Sequence, residues 1–121
     1  MNKKILIIED DDSFRDNLGH LLTLSGYHTE TAANGAEGLL KIAGFLPDLI
    51  ICDVDMPGMT GFQVLQQLRR HNVYNNTAFV FLSAHIPSGD DETKMVALAN
   101  DYMIKPISFV SLEKRIKNIL S

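Results

Sequence analysis

Acidic residues directly follow two apolar runs of the chain. Asp53 comes after Leu49–Cys52, within the stretch Asp-Val-Asp-Met-Pro-Gly-Met-Thr-Gly, and the acidic tetrad at 9–12 comes after the apolar run at 5–8. In open parallel sheets, ligands bind outside the carboxyl ends of the strands. We therefore expect Glu9, Asp10 and Asp53 to meet in one crevice and to form the chemical centre of the protein.

Three carboxylates in one crevice repel one another, so they take up protons or bind a cation. Magnesium prefers oxygen ligands and commonly lies between one or two carboxylates and a phosphate. Asp10, Asp53 and the backbone carbonyl of Asp55 could supply the ligands. The tetrad taken alone is equally typical of a solvated helix start, where acids are favourable. The second acidic strand end shifts the balance toward a cation site.

A hydroxyl and an ammonium follow two further predicted strands. Ser83 comes after the run at 78–82, and Lys105 comes after 101–104. Either residue alone is typical of a turn or of the surface. Together, at strand ends adjoining Asp53, they offer the hydrogen-bond donor and the cation that a phosphoryl group requires.

Five strands alternate with five helices in the hydrophobic pattern. The sequence predicts strands at 5–8, 27–31, 49–52, 78–82 and 101–104. Each predicted helix starts at a polar or glycine residue; these are Asp12 or Ser13, then Asn34–Gly35, Thr60, Ser88 and Ser108. Gly26 and Gly44 are predicted to end the first two helices, and Leu40 and Leu98 are predicted to face the core.

This alternation predicts an α/β fold of three α/β/α layers, with right-handed crossovers and helices on both faces of the sheet. A doubly wound five-stranded parallel sheet of the flavodoxin-like (βα)5 type has the order 2-1-3-4-5. Its switch point lies between strands one and three, where Glu9, Asp10 and Asp53 would meet. We see no repeat or linker and interpret residues 1–121 as one domain.

Composition narrows the function classes. The formal net charge of −4 argues against direct nucleic-acid binding by this domain. The lone Cys52 excludes an internal disulfide, and the chain opens without a signal segment, so we expect a cytoplasmic protein. No apolar run approaches the ~20 residues that a membrane span needs, so we expect no membrane partner.

The motifs resemble those of response-regulator receiver domains, the CheY-like superfamily of two-component signal transduction. The matching pieces are Glu9-Asp10, Asp53 with its turn, Ser83-Ala84, and Tyr102 followed three residues later by Lys105-Pro106. Each motif is weak alone, but their order along the chain and their positions on the predicted elements are specific. The resemblance covers essentially the whole chain.

The resemblance implies a phosphorelay role. Asp53 would accept a phosphoryl group from a phosphohistidine of a histidine kinase or phosphotransfer protein. Asp10, Asp53 and the Asp55 carbonyl would hold Mg²⁺, for which Mn²⁺ can substitute, and Glu9 would act through metal-bound water. Lys105 would pair with Asp53 and then with its phosphate. The protein would thus be a switch that catalyses only its own phosphorylation and slow dephosphorylation.

The resemblance also implies how the signal spreads. Ser83 would bond a phosphoryl oxygen, Tyr102 would turn inward, and the surface of helix 4, strand 5 and helix 5 would change. Ser83 stands where threonine is commoner. Asp55 and His85, each two residues beyond a site residue, would tune the lifetime of the phosphate. The Lys105-Pro106 bond resembles the family's cis peptide.

Two other functions remain open at this level. Asp53 and Asp55 could serve a magnesium-dependent phosphohydrolase resembling the haloacid dehalogenase superfamily, although its acidic residues come in another order. A flavodoxin-like FMN carrier would need a phosphate-binding loop after strand one, where the acids at 9–12 would repel the phosphate. The cognate kinase, an output domain or partner protein, and the oligomeric state are not determined by the sequence.

Overall fold

The computed structural model describes residues 2–121 as a five-stranded parallel sheet with helices on both faces. The strands are β1 (Lys4–Ile8), β2 (His28–Ala32), β3 (Leu49–Cys52), β4 (Ala78–Ser83) and β5 (Asp101–Ile104). The helices are α1 (Asp12–Leu24), α2 (Gly35–Phe45), α3 (Gly61–Arg69), α4 (Gly89–Ala97) and α5 (Phe109–Leu120), with a short 3-10 helix at Asn72–Tyr74. The strand order is β2-β1-β3-β4-β5, which confirms the predicted doubly wound fold.

Strand alternation divides the core into two layers. Leu6 and Ile8 of β1 face one side of the sheet, where α2 and α3 cover them. Ile5 and Ile7 face the other side, where α1 and α5 pack. Both faces are therefore dry, which is why the inner strands are continuous apolar runs and not alternating ones. The three-layer architecture follows from this double coverage.

The helix starts were predicted well where a side chain caps the backbone. Asn34, Thr60 and Ser108 each accept a hydrogen bond from the backbone N–H three residues later. The expected cap of α1 was wrong by one residue, because Asp11 and not Asp12 or Ser13 accepts from the N–H of Phe14 at 2.9 Å. Local hydrogen bonding decides these positions.

One predicted helix end and two predicted core positions were also wrong. Gly44 lies inside α2, which continues to Phe45 and ends at Leu46 in the left-handed conformation with φ 53°. Leu40 is 83% exposed and Leu98 is 50% exposed, so neither belongs to the core. Both leucines have the helical spacing of core residues, but the neighbouring elements do not cover them.

Helix α4 is weakly anchored compared with the other helices. It contains no buried residue, and the Ser88 side chain makes no cap hydrogen bond. The Glu92 carboxylate instead accepts the backbone N–H of Ser88 at 2.9 Å. Among residues 2–121, no helix is long and apolar enough to cross a lipid bilayer.

Candidate functional site

The register of the sheet brings the predicted site residues to one rim. Ile8 and Cys52 are paired across β1 and β3, so Glu9 and Asp53 follow side by side. The backbone N–H of Asp53 donates to the carbonyl of Ile8 at 3.0 Å. On the other side, the N–H of Lys105 donates to the carbonyl of Ser83 at 2.9 Å. Backbone pairing thus positions both the acids and the ammonium.

Glu9, Asp10 and Asp53 form the acidic cluster. One carboxylate oxygen from each residue lies within 4.8 Å of the others. Glu9 is only 3% exposed and Asp53 only 9%, whereas Asp10 is open to solvent. Hard oxygen donors with excess negative charge and one open side suit a divalent cation such as magnesium, which retains several of its waters.

Lys105 supplies the positive charge at the rim. Its Nζ lies 2.5 Å from Oε1 of Glu9 and 3.3 Å from Oδ2 of Asp53. The pairing of Lys105 with Asp53 was implied by the resemblance, but the shorter contact with Glu9 was not. Glu9 therefore bonds the ammonium directly. The Lys105-Pro106 peptide bond is cis.

The electrostatics of the rim keep Asp53 ionised. Burial opposes ionisation of Asp53, but hydrogen bonds with Ser83 and Glu9, the charge of Lys105 and the N–H of Val54 lower its pKa below the ordinary value. Burial raises the pKa of Glu9 to about 7 despite the hydrogen bond from Lys105. Of these two buried acids, Asp53 is therefore the one whose surroundings favour the anion, and Glu9 is the one whose burial favours the protonated form.

Ser83 and Tyr102 are joined through one backbone segment. Ser83 is 1% exposed, and its Oγ accepts the N–H of His85 at 3.2 Å. The hydroxyl of Tyr102 donates to the carbonyl of His85 at 2.6 Å, and its ring packs 5.3 Å from that of Phe81. Burial raises the pKa of Tyr102 to about 12, so its hydroxyl stays a donor. A movement of the Ser83 side chain would therefore change the hydrogen bond of Tyr102 through the backbone of His85.

Comparison with known proteins decides the family. The family model described as "Response regulator receiver domain" matches residues 5–117. This chain belongs to the response-regulator receiver domain family. It is thus a receiver domain of two-component signalling, and the predicted family is confirmed.

The receiver domain is similar to proteins of several bacteria. It is 38% identical over 120 residues to the alkaline phosphatase synthesis transcriptional regulatory protein PhoP of Bacillus subtilis, covering 99% of this chain and 49% of that protein. The chain thus spans about half the length of this curated relative.

Two solved structures have the same fold over nearly the whole chain. The chemotaxis protein CheY4 of Vibrio cholerae superimposes with a TM-score of 0.89 at 32% identity, covering 99% of this chain and 100% of that chain. TrrA of Thermotoga maritima, solved in complex with Mg(2+)-BeF, has a TM-score of 0.85 at 30% identity, covering 98% and 99% of the two chains. TrrA was also solved with the histidine kinase ThkA.

In the receiver domain, the His85 ring bridges two acids. Nδ1 lies 3.4 Å from Oδ1 of Asp55, and Nε2 lies 2.8 Å from Oε1 of Glu92, while the ring meets Phe62 edge-on at 5.8 Å between centroids. The resemblance named Asp55 and His85 together as residues that would tune the phosphate lifetime. It gave no role to Glu92, which is the closer partner of His85. Its distance in sequence left no motif by which to find it.

Glu92→Gln should lower the pKa of His85. The hydrogen bond that the His85 ring donates to Glu92 is the largest cause that raises this pKa, and Asp55 adds to it. A raised folded-state pKa stabilises the fold below the unfolded value of about 6.5, and this contribution is lost as pH rises through the folded value. Proton NMR titration of His85 without added metal measures the shift.

The pH dependence of the stability of the same variant tests whether protonated His85 stabilises the fold. Glu92→Gln should unfold in less urea than the wild type at about pH 5.5, and the difference should shrink at about pH 8.5, where the imidazole is neutral in both proteins. Asp91→Asn is the matched control, since no hydrogen bond joins Asp91 to His85 within residues 2–121. An unchanged His85 pKa in Glu92→Gln would contradict the assignment.

Gly61, at the start of α3, packs directly against the backbone of Asp53 and Val54. Its N–H donates to the carbonyl of Val54 at 2.9 Å, and a Cβ at position 61 would lie 2.1 Å from the carbonyl oxygen of Asp53. Because a backbone atom cannot move aside as a side chain can, this position requires glycine. The backbone of α3 thereby fixes the backbone of the Asp53 turn.

Gly61→Ala should therefore lower the free energy of unfolding by about 3 kcal/mol, the upper part of the range for overpacking. Urea unfolding measures this loss. Gly44→Ala is the control, because a Cβ there meets nothing within 4 Å and the position is helical, so a gain of about 0.5 kcal/mol is expected. Equal stability of the two variants would refute the steric argument.

Proposed function

We propose that this receiver domain accepts a phosphoryl group on Asp53. The observation that carries the proposal is the convergence of an ionised, largely buried Asp53 carboxylate with the Lys105 ammonium at 3.3 Å and with two further carboxylates. Phosphoryl transfer depends mostly on positioning and on neutralising charge. This rim provides both.

In the proposed step, a carboxylate oxygen of Asp53 attacks the phosphorus of a phosphohistidine. The new O–P bond forms as the P–N bond breaks, and the ring nitrogen keeps the electron pair. Because the other ring nitrogen of the phosphohistidine carries a proton, the leaving group is neutral imidazole. The product is an aspartyl phosphate, an acyl phosphate. The N–H of Val54, 2.7 Å from Oδ1 of Asp53, orients the carboxylate, and Lys105 bonds Oδ2 and then the phosphoryl oxygens.

The acidic cluster supports a magnesium site, in which Asp10, Asp53 and the backbone carbonyl of Asp55 would hold the ion. Glu9 would act through a metal-bound water while it bonds Lys105, and Mn²⁺ would substitute. When bound, such a cation neutralises negative charge on the transferring phosphoryl oxygens. The remaining charge is met by the ammonium of Lys105, whose pKa is raised by Glu9 and Asp53 although burial opposes this.

The switch would operate through Ser83 and Tyr102. A ligand shifts an equilibrium only if it binds the two states differently, and a Ser83 hydroxyl that leaves His85 for the phosphoryl group makes such a difference. Tyr102 would then turn inward and alter the surface of α4, β5 and α5. The two hydrogen bonds on His85 support this route, since they tie both residues to one segment.

The receiver domain would act as a switch and not as a turnover enzyme. Asp55 and His85 would set the lifetime of the phosphate. A histidine kinase or a phosphotransfer protein would be its donor, a proposal supported by the kinase complex of TrrA. The output would pass to another domain or to a partner protein, as the longer PhoP suggests. We propose that the domain contacts neither nucleic acid nor a membrane and that it acts in the cytoplasm.

The test is incubation of the protein with acetyl phosphate and magnesium, followed by intact mass. We expect a labile adduct of one phosphoryl group that alkali or hydroxylamine removes, as for an acyl phosphate. Excess chelator should suppress its formation. No adduct under any donor concentration would reject the proposal, and continuous release of phosphate from small esters would favour the phosphohydrolase.

A further inference from the structure

The Lys105 ammonium has a third neighbour, which is aromatic. Its Nζ lies 4.2 Å from the centroid of the Phe14 ring, in addition to its contacts with Glu9 and Asp53. Phe14 belongs to the first turn of α1 and is half-buried. The distance is well inside the ~6 Å over which a ring face attracts a cation. No motif of the sequence assigned a chemical role to Phe14.

We propose that Phe14 is a positioning residue for the phosphorylation of Asp53, because its ring holds the Lys105 ammonium at the rim. The inference rests on the proposed role of Asp53 as phosphoacceptor. It adds a residue from α1 to a site otherwise built from strand ends.

The chemistry of the ring explains why it suits this place. Lysine is a compact, strongly hydrated charge on a flexible stem, so an unconfined ammonium would turn toward water. The Phe14 face replaces water on one side of the ammonium. Unlike a carboxylate, a ring does not neutralise the charge. The ammonium therefore stays fixed and still has its full charge for Asp53 and for a phosphoryl oxygen.

Packing fixes the ring itself. Phe14, Ile107 and Phe109 are half-buried against the same core layer, and with Leu18 they line a cleft of about 260 Å³ between α1 and the start of α5. The segment that carries Lys105 continues directly into Ile107. The ring and the segment that carries Lys105 thus pack against the same core layer.

The chain contains a matched comparison. The ring of Phe45, at the end of α2, also faces a lysine, with 5.8 Å between its centroid and Nζ of Lys4. Phe45 is half-buried like Phe14, but it lies at the opposite end of β1 from Glu9. Phe45→Leu therefore makes the same chemical change away from the rim.

The experiment compares rates of adduct formation from acetyl phosphate and magnesium, followed by intact mass, in the wild-type chain and in Phe14→Leu, Phe14→Tyr and Phe45→Leu. Phe14→Leu should react about two- to thirtyfold more slowly, the range that cation–π energies imply. Phe14→Tyr, which keeps the ring, and Phe45→Leu should react at nearly the wild-type rate. Phe14→Met repeats the loss of the ring with an unbranched chain.

A second readout reports the contact itself. The ε-methylene protons of Lys105 should show an upfield ring-current shift in the wild type and in Phe14→Tyr, and this shift should disappear in Phe14→Leu. In a Lys105→Met background, Phe14→Leu should cause no further slowing. Both results would support the proposal, because a general loss of packing would slow either background.

Three outcomes would overturn the inference. They are a wild-type rate in Phe14→Leu, a rate in Phe14→Tyr as low as in Phe14→Leu, or equal slowing in Phe45→Leu. Since acetyl phosphate needs no docking partner, a role of Phe14 only in partner contact would give the first of these. If the wild type forms no adduct at all, the proposed phosphoacceptor function fails, which is a different result from each of the three.

Discussion

Asp53→Asn should abolish the labile phosphoryl adduct that the wild-type receiver domain forms with acetyl phosphate and magnesium. The amide oxygen has no net charge and is a poor nucleophile, so no acyl phosphate forms. We expect complete loss and not a reduced rate, because the substitution removes the accepting group and not one of its helpers. Intact mass at saturating donor measures the result.

The fold should survive this substitution. Asparagine has nearly the same shape as aspartate, and its side-chain oxygen can still accept the N–H of Val54, which Oδ1 of Asp53 accepts at 2.7 Å. Urea unfolding should therefore remain a single transition. Loss of the adduct in a folded protein can then be assigned to chemistry at position 53.

Asp55→Asn is the matched control, since it makes the same change two residues away. The Asp55 side chain contacts the His85 ring at 3.4 Å, and only its backbone carbonyl is proposed to meet the cation. The adduct should still form in this variant, with an altered lifetime. An adduct of wild-type yield in Asp53→Asn would instead assign the acceptor to Glu9 or Asp10, and peptide mapping would identify which.

Much of the fold could be predicted because the deciding interactions are local. The runs 5–8 of β1, 49–52 of β3 and 78–82 of β4 are apolar throughout, as is typical of strands buried on both faces. Thr60 and Ser108 cap helices through hydrogen bonds that span only three residues. Such short-range contacts depend on residue type and spacing, and both can be seen in the sequence.

The errors arose where tertiary packing decides. Leu40 has the spacing of a core residue, yet no element within residues 2–121 covers it and it is 83% exposed. Gly44 looked like a helix end, but α2 continues and Leu46 adopts the left-handed conformation that glycine would favour. Residues distant in the sequence decide whether the apolar face of a helix is covered. They also decide where the helix ends.

The residues of the site also fall into a group that could be predicted and a group that could not. The residues that follow strands could be placed, because parallel strands bring their carboxyl ends to one rim. The contacts between loops could not. Glu92 reaches His85 only because of the path of the β4–α4 loop, and Phe14 reaches Lys105 only because α1 packs beside the segment after β5. Neither pair has a spacing that a motif could describe.

Lys105→Met should slow phosphorylation of Asp53 by about a hundredfold or more, the typical cost of removing one preorganised charge-stabilising group from a reaction centre. Methionine keeps the length and the apolar stem of lysine but has no ammonium. The contacts of Nζ with Glu9 and Asp53 then have no replacement, and the charge that develops on the phosphoryl oxygens meets one cation fewer.

The effect should exceed that of Phe14→Leu, because Phe14 acts only by holding the ammonium that Lys105→Met removes. Lys117→Met is the control. Lys117 lies in the last turn of α5, and its side chain is 65% exposed. Its Nζ lies 3.9 Å from Oε1 of Glu113. An exposed pair of this kind contributes little, so this variant should react at the wild-type rate.

The time course of adduct formation by intact mass distinguishes two roles for the ammonium. If Lys105 neutralises charge during transfer, the rate falls at every concentration of acetyl phosphate, including saturation. If it only draws the anionic donor into the rim, the rate at saturation is restored and only the half-saturating concentration rises. Since Nζ already contacts the accepting carboxylate before any donor binds, we expect the first result, and a wild-type rate at saturation would refute it.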